Sequence, residues 1–304
     1  MSSWLKVYAP ATIGNVGPGF DVLGMAVRGM GDVVSVRRSD PRGIRIVEVE
    51  GAEGLSLDPG ENTAGIAAHE VLRRTGRSIG IDLRLKKGVP GSGLGSSAAS
   101  AVAGAFAVNE LLGRPLKKQA LLQAALEAEY HVSGARFLDN IGAALYGGVV
   151  VADPLRCEVI PLGALPRAVI VLLTPARKVS TKEARKVLPK KVPLQDTISN
   201  LSKSCQIVAA VAQNNVELFG SSTQDFLIEP HRARLIPGFQ RVKTAALRAG
   251  AFGCAISGAG STIFAVCKDR RHGAAVGLAM RRAFPAEATL TLTSIDPRGA
   301  HRRG

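Results

Sequence analysis

A glycine- and serine-rich segment, residues 88–100, has the composition of a phosphate-binding site. It reads Gly-Val-Pro-Gly-Ser-Gly-Leu-Gly-Ser-Ser-Ala-Ala-Ser and lies between an alternating apolar segment and a run of small helix-forming residues. Its glycines let the backbone approach a ligand closely and adopt positive φ. The following helix start offers unpaired N–H groups and the positive end of its dipole. The sequence therefore predicts an anion site, where Ser96 and Ser97 add hydroxyls for phosphate oxygens or a magnesium ion.

Two common phosphate-binding patterns do not fit this segment. No lysine follows its last glycine, as one does in a Walker A loop, and Ser96 stands where G-x-G-x-x-G needs its third glycine. The glycines alone are equally compatible with a tight turn followed by a serine N-cap. The longer string and the rest of the chain must decide between these interpretations.

The elements that position this segment mix strands and helices. The sequence predicts strands at 5–9, 33–36, 44–49, 81–85, 149–152, 168–174, 262–266 and 288–293, and helices at 62–72, 97–112, 116–130, 197–218, 238–249 and 274–283. A capping box from Ser180 to Glu183 predicts one more helix start, and Gly76 suits a helix end. The mixture, without a repeat, indicates an α+β fold. Both periodicities break at 161–166, which suggests a domain boundary, and residues 296–304 suggest a frayed tail.

Composition restricts the class of protein. A chain of 304 residues with 46% hydrophobic content is long enough for one large domain or two moderate ones. A net charge of +15 would suit nucleic acid or an anionic membrane, but equally a field that attracts ATP, and an aromatic content of 4% argues against a base-stacking surface. Four scattered cysteines favour buried thiols in a reducing compartment. We expect a cytoplasmic protein without a signal peptide or membrane span, and neither nucleic acid nor a membrane as partner.

Three segments together carry a resemblance to a known family. The string from Pro90 to Ser100 resembles the ATP loop of the GHMP kinase superfamily, which includes galactokinases, mevalonate kinases and homoserine kinases. Residues 9–24, Ala-Pro-Ala-Thr-Ile-Gly-Asn-Val-Gly-Pro-Gly-Phe-Asp-Val-Leu-Gly, resemble the first motif of the homoserine kinases. Residues 256–262, Ile-Ser-Gly-Ala-Gly-Ser-Thr, resemble the third superfamily motif, a glycine loop that closes over the phosphates. The three motifs occur in the family's order, so the resemblance covers nearly the whole chain.

The resemblance implies a fold, a chemistry and a set of binding residues. The expected architecture is the GHMP kinase fold, with an N-terminal ribosomal protein S5 domain 2-like α/β domain, residues 1–165, and a C-terminal ferredoxin-like α+β domain, residues 166–304. The expected chemistry is phosphoryl transfer from ATP with Mg²⁺, which Ser97 and Glu129 would hold. The residues implied to bind ATP are Asn62, Lys87, Pro90, Gly91, Ser92, Gly93, Leu94, Gly95, Ser96, Ser97, Ala98, Ala99, Ser100, Gly258 and Gly260. Among them Asn62 and Lys87 are expected near the adenine, and the protein is expected to be a homodimer.

The segments around Arg185 and Arg232 resemble homoserine kinase signatures rather than features of the whole superfamily. Homoserine is a zwitterion, so its site needs a guanidinium for the carboxylate, an acidic or carbonyl group for the ammonium, and a group beside the hydroxyl. By resemblance, Arg185 and Arg232 hold the carboxylate, Asp21 holds the ammonium, and Asn15 makes a nearby polar contact. We therefore expect phosphorylation of L-homoserine to O-phospho-L-homoserine, a step of threonine biosynthesis.

The group that acts on the substrate hydroxyl stays open at this point. Asp139 occupies the position of the base in mevalonate kinases, while Asn140 beside it could touch and position the hydroxyl. If Asn140 does so, no protein base is required, because the proton can pass late, even to phosphate. One position departs from the family: Phe137 stands where some homoserine kinases have a histidine, so any substrate contact of that histidine is missing or replaced.

Three other functions compete with this hypothesis. Another GHMP small-molecule kinase, for shikimate or a mevalonate-pathway substrate, would not need Asp21, because those substrates lack an ammonium. A non-catalytic GHMP-fold regulator that binds ATP would be expected to lose Ser97, Glu129 or Asp139, and all three are present. A nucleic-acid-binding protein is suggested only by the net charge.

Overall fold

The computed structural model describes residues 3–304, which form two β-sheets with helices packed against them. The strands are β1 Leu5–Gly14, β2 Leu23–Ser39, β3 Gly43–Glu50, β4 Gly80–Lys86, β5 Val149–Asp153, β6 Glu158–Gly163, β7 Val169–Pro175, β8 Gly253–Ile256, β9 Ile263–Cys267, β10 Ala288–Ser294 and β11 His301–Arg303. The helices are α1 Thr63–Thr75, α2 Ser96–Leu111, α3 Lys118–Ser133, α4 Leu138–Tyr146, α5 Thr181–Lys186, α6 Leu194–Ala212, α7 Val216–Ser221, α8 Glu229–Arg232, α9 Phe239–Arg248 and α10 Arg270–Ala283. The predicted mixture of strands and helices is confirmed.

Strand β2 organises the first sheet because it is long enough to pair with three neighbours. It lies antiparallel to β1 along most of its length, to β4 over residues 33–39 and to β5 over residues 23–25. Strand β3 adds parallel to β4, and β6 adds antiparallel to β5. Strands from this sheet and helices α1 to α4 share a buried apolar cluster.

Helices α1 and α2 pack with their backbones in contact. A Cβ at Gly104 of α2 would lie 2.3 Å from the carbonyl oxygen of Ala64 in α1, so only glycine fits there. The ends of α1 follow the expectation: the Asn62 side chain accepts from the Ala64 N–H, and Gly76 ends the helix with φ 65°. This packing fixes the direction of α2, and therefore the place where its first turn meets the phosphate segment.

The second sheet has the strand order β10-β7-β9-β8, and its pairs are antiparallel. Helices α9 and α10 pack with these strands around one apolar cluster. A different cluster joins the two halves: Ile13 from β1, Leu94 from the phosphate segment, Phe219 from α7 and Phe264 from β9 are all buried in it. The predicted capping box is also present, since Ser180 and Glu183 bond each other's backbone N–H at the start of α5.

Two predictions of local structure are wrong, and of the four cysteines expected to be buried, Cys205 is exposed. The helix predicted over 197–218 is two helices, α6 and α7, because Asn214 turns the chain with φ 50° and the Asn215 side chain accepts from the Leu218 N–H to start a new helix. Residues 296–304 are not a frayed tail. Strand β11 pairs with β1, the Gly148 N–H donates to the Asp296 carbonyl, and the Arg303 guanidinium lies 4.4 Å from the centre of the Tyr8 ring.

Residues 296–304 are ordered because β11 satisfies the hydrogen-bonding groups on the outer edge of β1. The last residues of the chain therefore lie on the first sheet, although they come after the second one. The proposed division at residues 165 and 166 stays a prediction, with β6 ending at Gly163 and β7 starting at Val169. Among residues 3–304, no helix is both long and apolar enough to cross a membrane.

Candidate active site

A cavity of about 730 Å³ lies where the three predicted motifs meet. The predicted residues that line it are Asn15, Asp21, Asn62, Lys87, Pro90, Gly91, Ser92, Gly93, Gly95, Ser96, Ser97, Ala98, Ser100, Glu129, Asp139, Asn140, Arg185, Arg232, Gly258 and Gly260. Leu94 and Ala99 do not line it, because their side chains point into the core that joins the two halves. The fold thus brings to one cavity residues that are distant in sequence and that were predicted to bind nucleotide, metal and substrate.

The phosphate loop, residues 88–95, is clamped between the first and third motifs. On one side the Thr12 N–H donates to the Leu94 carbonyl, and a Cβ at Gly95 would lie 2.0 Å from Thr12 Oγ1. On the other side Ser257 Oγ donates to the Gly93 carbonyl at 2.6 Å. Gly93 and Gly95 have φ of 81° and 65°, a region that favours glycine. The loop ends directly at the first turn of α2, which is the predicted anion-binding geometry.

Ser97 and Glu129 meet beside this loop. Ser97 Oγ donates to Glu129 Oε1 at 2.8 Å, and Glu129 is only 2% exposed. A hydroxyl and a carboxylate are hard oxygen donors that suit Mg²⁺, which is commonly held by one or two protein groups plus phosphates and water. Glu127, two residues earlier on α3, is exposed and pairs with Arg136, so it is the surface glutamate of the two. Within residues 3–304, no cluster of three or more His, Cys, Asp or Glu residues could hold a metal ion.

Asp139 and Asn140 are fixed at the start of α4. The Asp139 carboxylate accepts from the Asn15 N–H at 3.0 Å and from Asn140 Nδ2 at 3.1 Å, and Asp139 is 1% exposed. Burial, and then the neighbouring Asp21 charge, raise the pKa of Asp139 to about 6. The Asn140 amide has one orientation, since its Oδ1 accepts from Thr12 Oγ1 at 2.9 Å.

The two predicted arginines share one aromatic ring. The guanidinium carbons of Arg185 and Arg232 lie 5.5 and 5.1 Å from the centre of the Phe20 ring. Arg185 Nη2 is 2.9 Å from both Asp21 carboxylate oxygens. Arg232 is 4% exposed and donates to the Gly258 carbonyl at 2.8 Å, and burial lowers its pKa from the ordinary value. In this structure Asp21 and Arg185 are therefore each other's partners.

Phe137, the residue that departs from the family pattern, packs against Arg185. Its ring centre lies 5.3 Å from the Arg185 guanidinium carbon, so Arg185 has the rings of Phe20 and Phe137 as neighbours. An aromatic face attracts a guanidinium through the ring quadrupole. Phe137 thus contacts an arginine that is predicted to bind the substrate, although it has no hydrogen-bonding group.

Three predicted site residues are hydrogen-bonded to other parts of the protein. Asn15 Nδ2 donates to the Gly258 carbonyl at 2.9 Å and its Oδ1 accepts from the Asp21 N–H, so it joins the first motif to the third. The Asn62 side chain caps α1 and donates to the Ser56 carbonyl. The Lys87 ammonium is bonded to protein atoms on the loop side, including the Ser96 carbonyl at 2.9 Å. Contacts of Asn62 and Lys87 with adenine stay predictions.

Sequence reasoning missed several residues of the site. Thr12 and Phe20 stand inside the first motif, so the same string could have indicated them. Thr181, the first residue of α5, and Lys178, just before the helix, line the cavity next to the capping box that the sequence did reveal. Asp32 is in contact with the loop but lies in an ordinary strand pattern, which carries no signal of that contact.

Comparisons with known proteins agree with the geometry. Residues 62–148 match the family described as GHMP kinases N terminal domain, and residues 207–286 match GHMP kinases C terminal. A homoserine kinase of Pyrococcus furiosus is 42% identical over 303 residues, covering 97% of this chain and 99% of that protein. One of Arabidopsis thaliana is 44% identical over 291 residues, covering 92% of this chain and 78% of that protein.

A solved structure is similar over its full length. The crystal structure of homoserine kinase from Cytophaga hutchinsonii superposes with a TM-score of 0.95 at 39% identity, covering 100% of this chain and 98% of that one. Identities of this size over nearly whole chains, with three motifs meeting in one cavity, show more than a shared fold. The chain belongs to the GHMP kinase family and, within it, to the homoserine kinases.

Proposed function

We propose that this chain transfers the γ-phosphoryl group of ATP to the hydroxyl of L-homoserine. One observation carries the proposal: the cavity that holds the phosphate loop also holds a carboxylate, Asp21, and two guanidinium groups, Arg185 and Arg232. These are the charges that recognise a zwitterion. The relatives named homoserine kinase support the same acceptor, and the product, O-phospho-L-homoserine, belongs to threonine biosynthesis.

Substrate binding exchanges one ion pair for two. Without a ligand, Asp21 and Arg185 neutralise each other at 2.9 Å. A bound amino acid places its carboxylate on Arg185 and Arg232 and its ammonium on Asp21, so each protein charge keeps a partner. A neutral alcohol or an acid without an ammonium cannot make this exchange, because it leaves Asp21 or an arginine without an opposite charge.

The phosphate loop and the start of α2 bind and orient the nucleotide phosphates. The N–H groups of the loop and the positive end of the helix dipole act on the charge that spreads over the transferred phosphoryl group. Ser97 and Glu129 would hold Mg²⁺, which neutralises charge on the β- and γ-phosphates when it is bound. The clamp made by Thr12 and Ser257 keeps the loop in place, so little reorganisation is needed at the moment of transfer.

Asn140 positions the acceptor hydroxyl, and Asp139 supports it. The Asn140 amide is oriented between Thr12 and Asp139, so it presents a fixed polar group to the cavity. With a pKa of about 6, Asp139 is largely ionised at pH 8 and can also accept the hydroxyl proton. If Asn140 mainly positions the hydroxyl, its removal should lower kcat/KM most. If Asp139 is the base, its removal should lower kcat/KM most.

The cellular setting and the assembly stay predictions: a cytoplasmic enzyme that forms a homodimer.

The acceptor is tested by measuring ADP release with homoserine, serine, shikimate and mevalonate as substrates. Homoserine should give the highest kcat/KM, because it alone matches both the charge pattern and the distance to the hydroxyl, and ³¹P NMR should show a phosphate monoester. Higher turnover of shikimate or mevalonate, or nucleotide binding without turnover of any acceptor, would refute the proposal.

The metal site is tested by Ser97→Ala and Glu129→Gln. Each should lower kcat by ~10²-fold or more and raise the Mg²⁺ concentration needed for half-maximal rate, because Ser97→Ala removes a hydroxyl ligand and Glu129→Gln removes the negative charge of the carboxylate. Glu127→Gln is the matched control on the same helix and should behave like the unmodified protein. Normal Mg²⁺ dependence in Ser97→Ala and Glu129→Gln would show that neither residue holds the metal.

Charge recognition is tested by Arg185→Leu and Arg232→Leu. Both should raise the KM for homoserine and leave the KM for ATP nearly unchanged, since loss of one partner of a desolvated charge pair costs about 2–5 kcal/mol. The effect should be smaller for Arg185, whose side chain is 36% exposed, than for the buried Arg232. Arg234→Leu, an exposed arginine two residues further on, is the control. A change confined to the KM for ATP would mean that the two arginines are assigned to the wrong substrate.

The proton-transfer step is tested by Asn140→Ala and Asp139→Asn. If positioning dominates, Asn140→Ala costs more in kcat/KM than Asp139→Asn. A general base typically raises the reaction rate by about 10²–10⁴-fold. A larger loss of kcat/KM in Asp139→Asn than in Asn140→Ala, together with loss of the acidic limb of the pH–rate profile only in Asp139→Asn, would therefore identify Asp139 as the base.

The raised pKa of Asp139 should also make the stability of the protein depend on pH. The pKa of Asp139 is raised from 3.8 to about 6 in the folded protein, so folding favours its neutral form. The stability that this carboxyl contributes is present below pH 4 and is lost as the pH rises through 6. Asp139→Asn removes this titration, so its melting temperature relative to the unmodified protein should be higher at pH 8 than at pH 5, by the equivalent of about 1–3 kcal/mol. If the difference in melting temperature did not change with pH, the pKa of Asp139 would not be raised in the folded protein.

A further inference from the structure

Asp32 on β2 is fully buried at 0% exposure and faces the base of the phosphate loop. Its carboxylate accepts from two backbone N–H groups, one serine hydroxyl and one lysine ammonium. We propose that Asp32 is the positioning residue of this loop: it fixes both ends of the loop at once, so that the loop N–H groups are held ready for the nucleotide phosphates. The inference rests on the proposed role of the loop in binding ATP.

One carboxylate oxygen holds the entrance of the loop. Asp32 Oδ1 accepts from the Gly88 N–H at 2.9 Å and from the Val89 N–H at 3.2 Å. These two residues follow directly after the end of β4. Two successive N–H groups that converge on one oxygen fix the direction in which the chain leaves the strand.

The other oxygen holds the exit of the loop. Asp32 Oδ2 accepts from Ser100 Oγ at 2.6 Å and from the Lys87 ammonium. The same ammonium donates to the Ser96 carbonyl at 2.9 Å, in the first turn of α2. Ser96 Oγ in turn donates to the Val89 carbonyl at 3.0 Å, which joins the two ends directly. Residues 90–95 are therefore a short bridge whose two ends share one charged anchor.

The Lys87 ammonium is part of this anchor and is largely shielded from solvent. Its three ammonium donors are matched by three protein acceptors, on Asp32, Ser96 and Ser100, and its side chain is 8% exposed. A buried charge pair is tolerated only when its hydrogen bonds are satisfied, and removal of one partner leaves the other charge without compensation. Loss of the Asp32 charge should therefore release both the lysine and the loop.

The test compares Asp32→Asn with Asp82→Asn. Asp82 lies on the neighbouring strand β4, is 2% exposed, and pairs with Arg37 and Arg45 outside the cavity lining, so it is a matched buried aspartate. We would measure ADP and ATP binding by calorimetry without acceptor, and the KM of both substrates, at a temperature where all variants are folded. Asp32→Asn should weaken nucleotide binding by ~10-fold or more, because a displaced loop no longer aligns its N–H groups with the phosphates. The KM for homoserine should stay within ~3-fold. Asp82→Asn should change neither.

Two further readouts keep the result decisive. If Asp32→Asn does not fold, Ser100→Ala removes one of the four donors and should still weaken nucleotide binding, with faster hydrogen exchange at residues 88–97. Nucleotide binding by Asp32→Asn within about twofold of the unmodified protein, or equal losses in Asp32→Asn and Asp82→Asn, would overturn the inference. In the non-folding case, unchanged binding by Ser100→Ala overturns it. An unmodified chain that binds nucleotide but does not phosphorylate homoserine would refute the proposed acceptor and leave this inference standing.

Discussion

The site depends on the close approach of three backbone segments that lie far apart in the sequence. A Cβ at Gly95 would lie 2.0 Å from Thr12 Oγ1, and one at Gly93 would lie 2.3 Å from the Ser257 carbonyl oxygen. Any larger residue would push the phosphate loop away from the first or the third motif. Because Thr12 Oγ1 also donates to the Asn140 amide oxygen, the same contact sets the distance between the phosphate loop and Asn140. Glycine is therefore required here for the space it leaves as much as for its positive φ.

Two ion pairs lie at the cavity, and they differ in how deeply they are buried. Asp32 is paired with Lys87 behind the loop, and Asp21 with Arg185 beside the substrate region. Only the second pair is open to exchange, because its side chains are about one-third exposed, whereas Asp32 is fully buried. We propose that the buried pair shapes the loop and that the exposed pair selects a ligand that carries both charges.

The sequence predicted the parts of this arrangement that depend on local patterns. The capping box at Ser180, the helix end at Gly76 and the phosphate loop follow from the residues at those positions, and the structure has each of them. The pairing of β11 with β1, the break between α6 and α7 at Asn214 and the length of β2 depend on tertiary contacts or a single backbone angle. The Asp32 anchor belongs to the same class, because one aspartate in a strand has no pattern until its partners are brought to it.

Phe137 supports the predicted substrate region by packing rather than by hydrogen bonding. A histidine at this position could bond a substrate directly, which phenylalanine cannot do. The ring instead lies against Arg185, on which the ring of Phe20 also packs. Such contacts restrict the guanidinium to few orientations, so less conformational entropy is lost when a carboxylate binds. Recognition in this chain is therefore expected to depend more on a pre-oriented Arg185 than on a direct contact from position 137, and this fits the ligand exchange inferred for the Asp21–Arg185 pair.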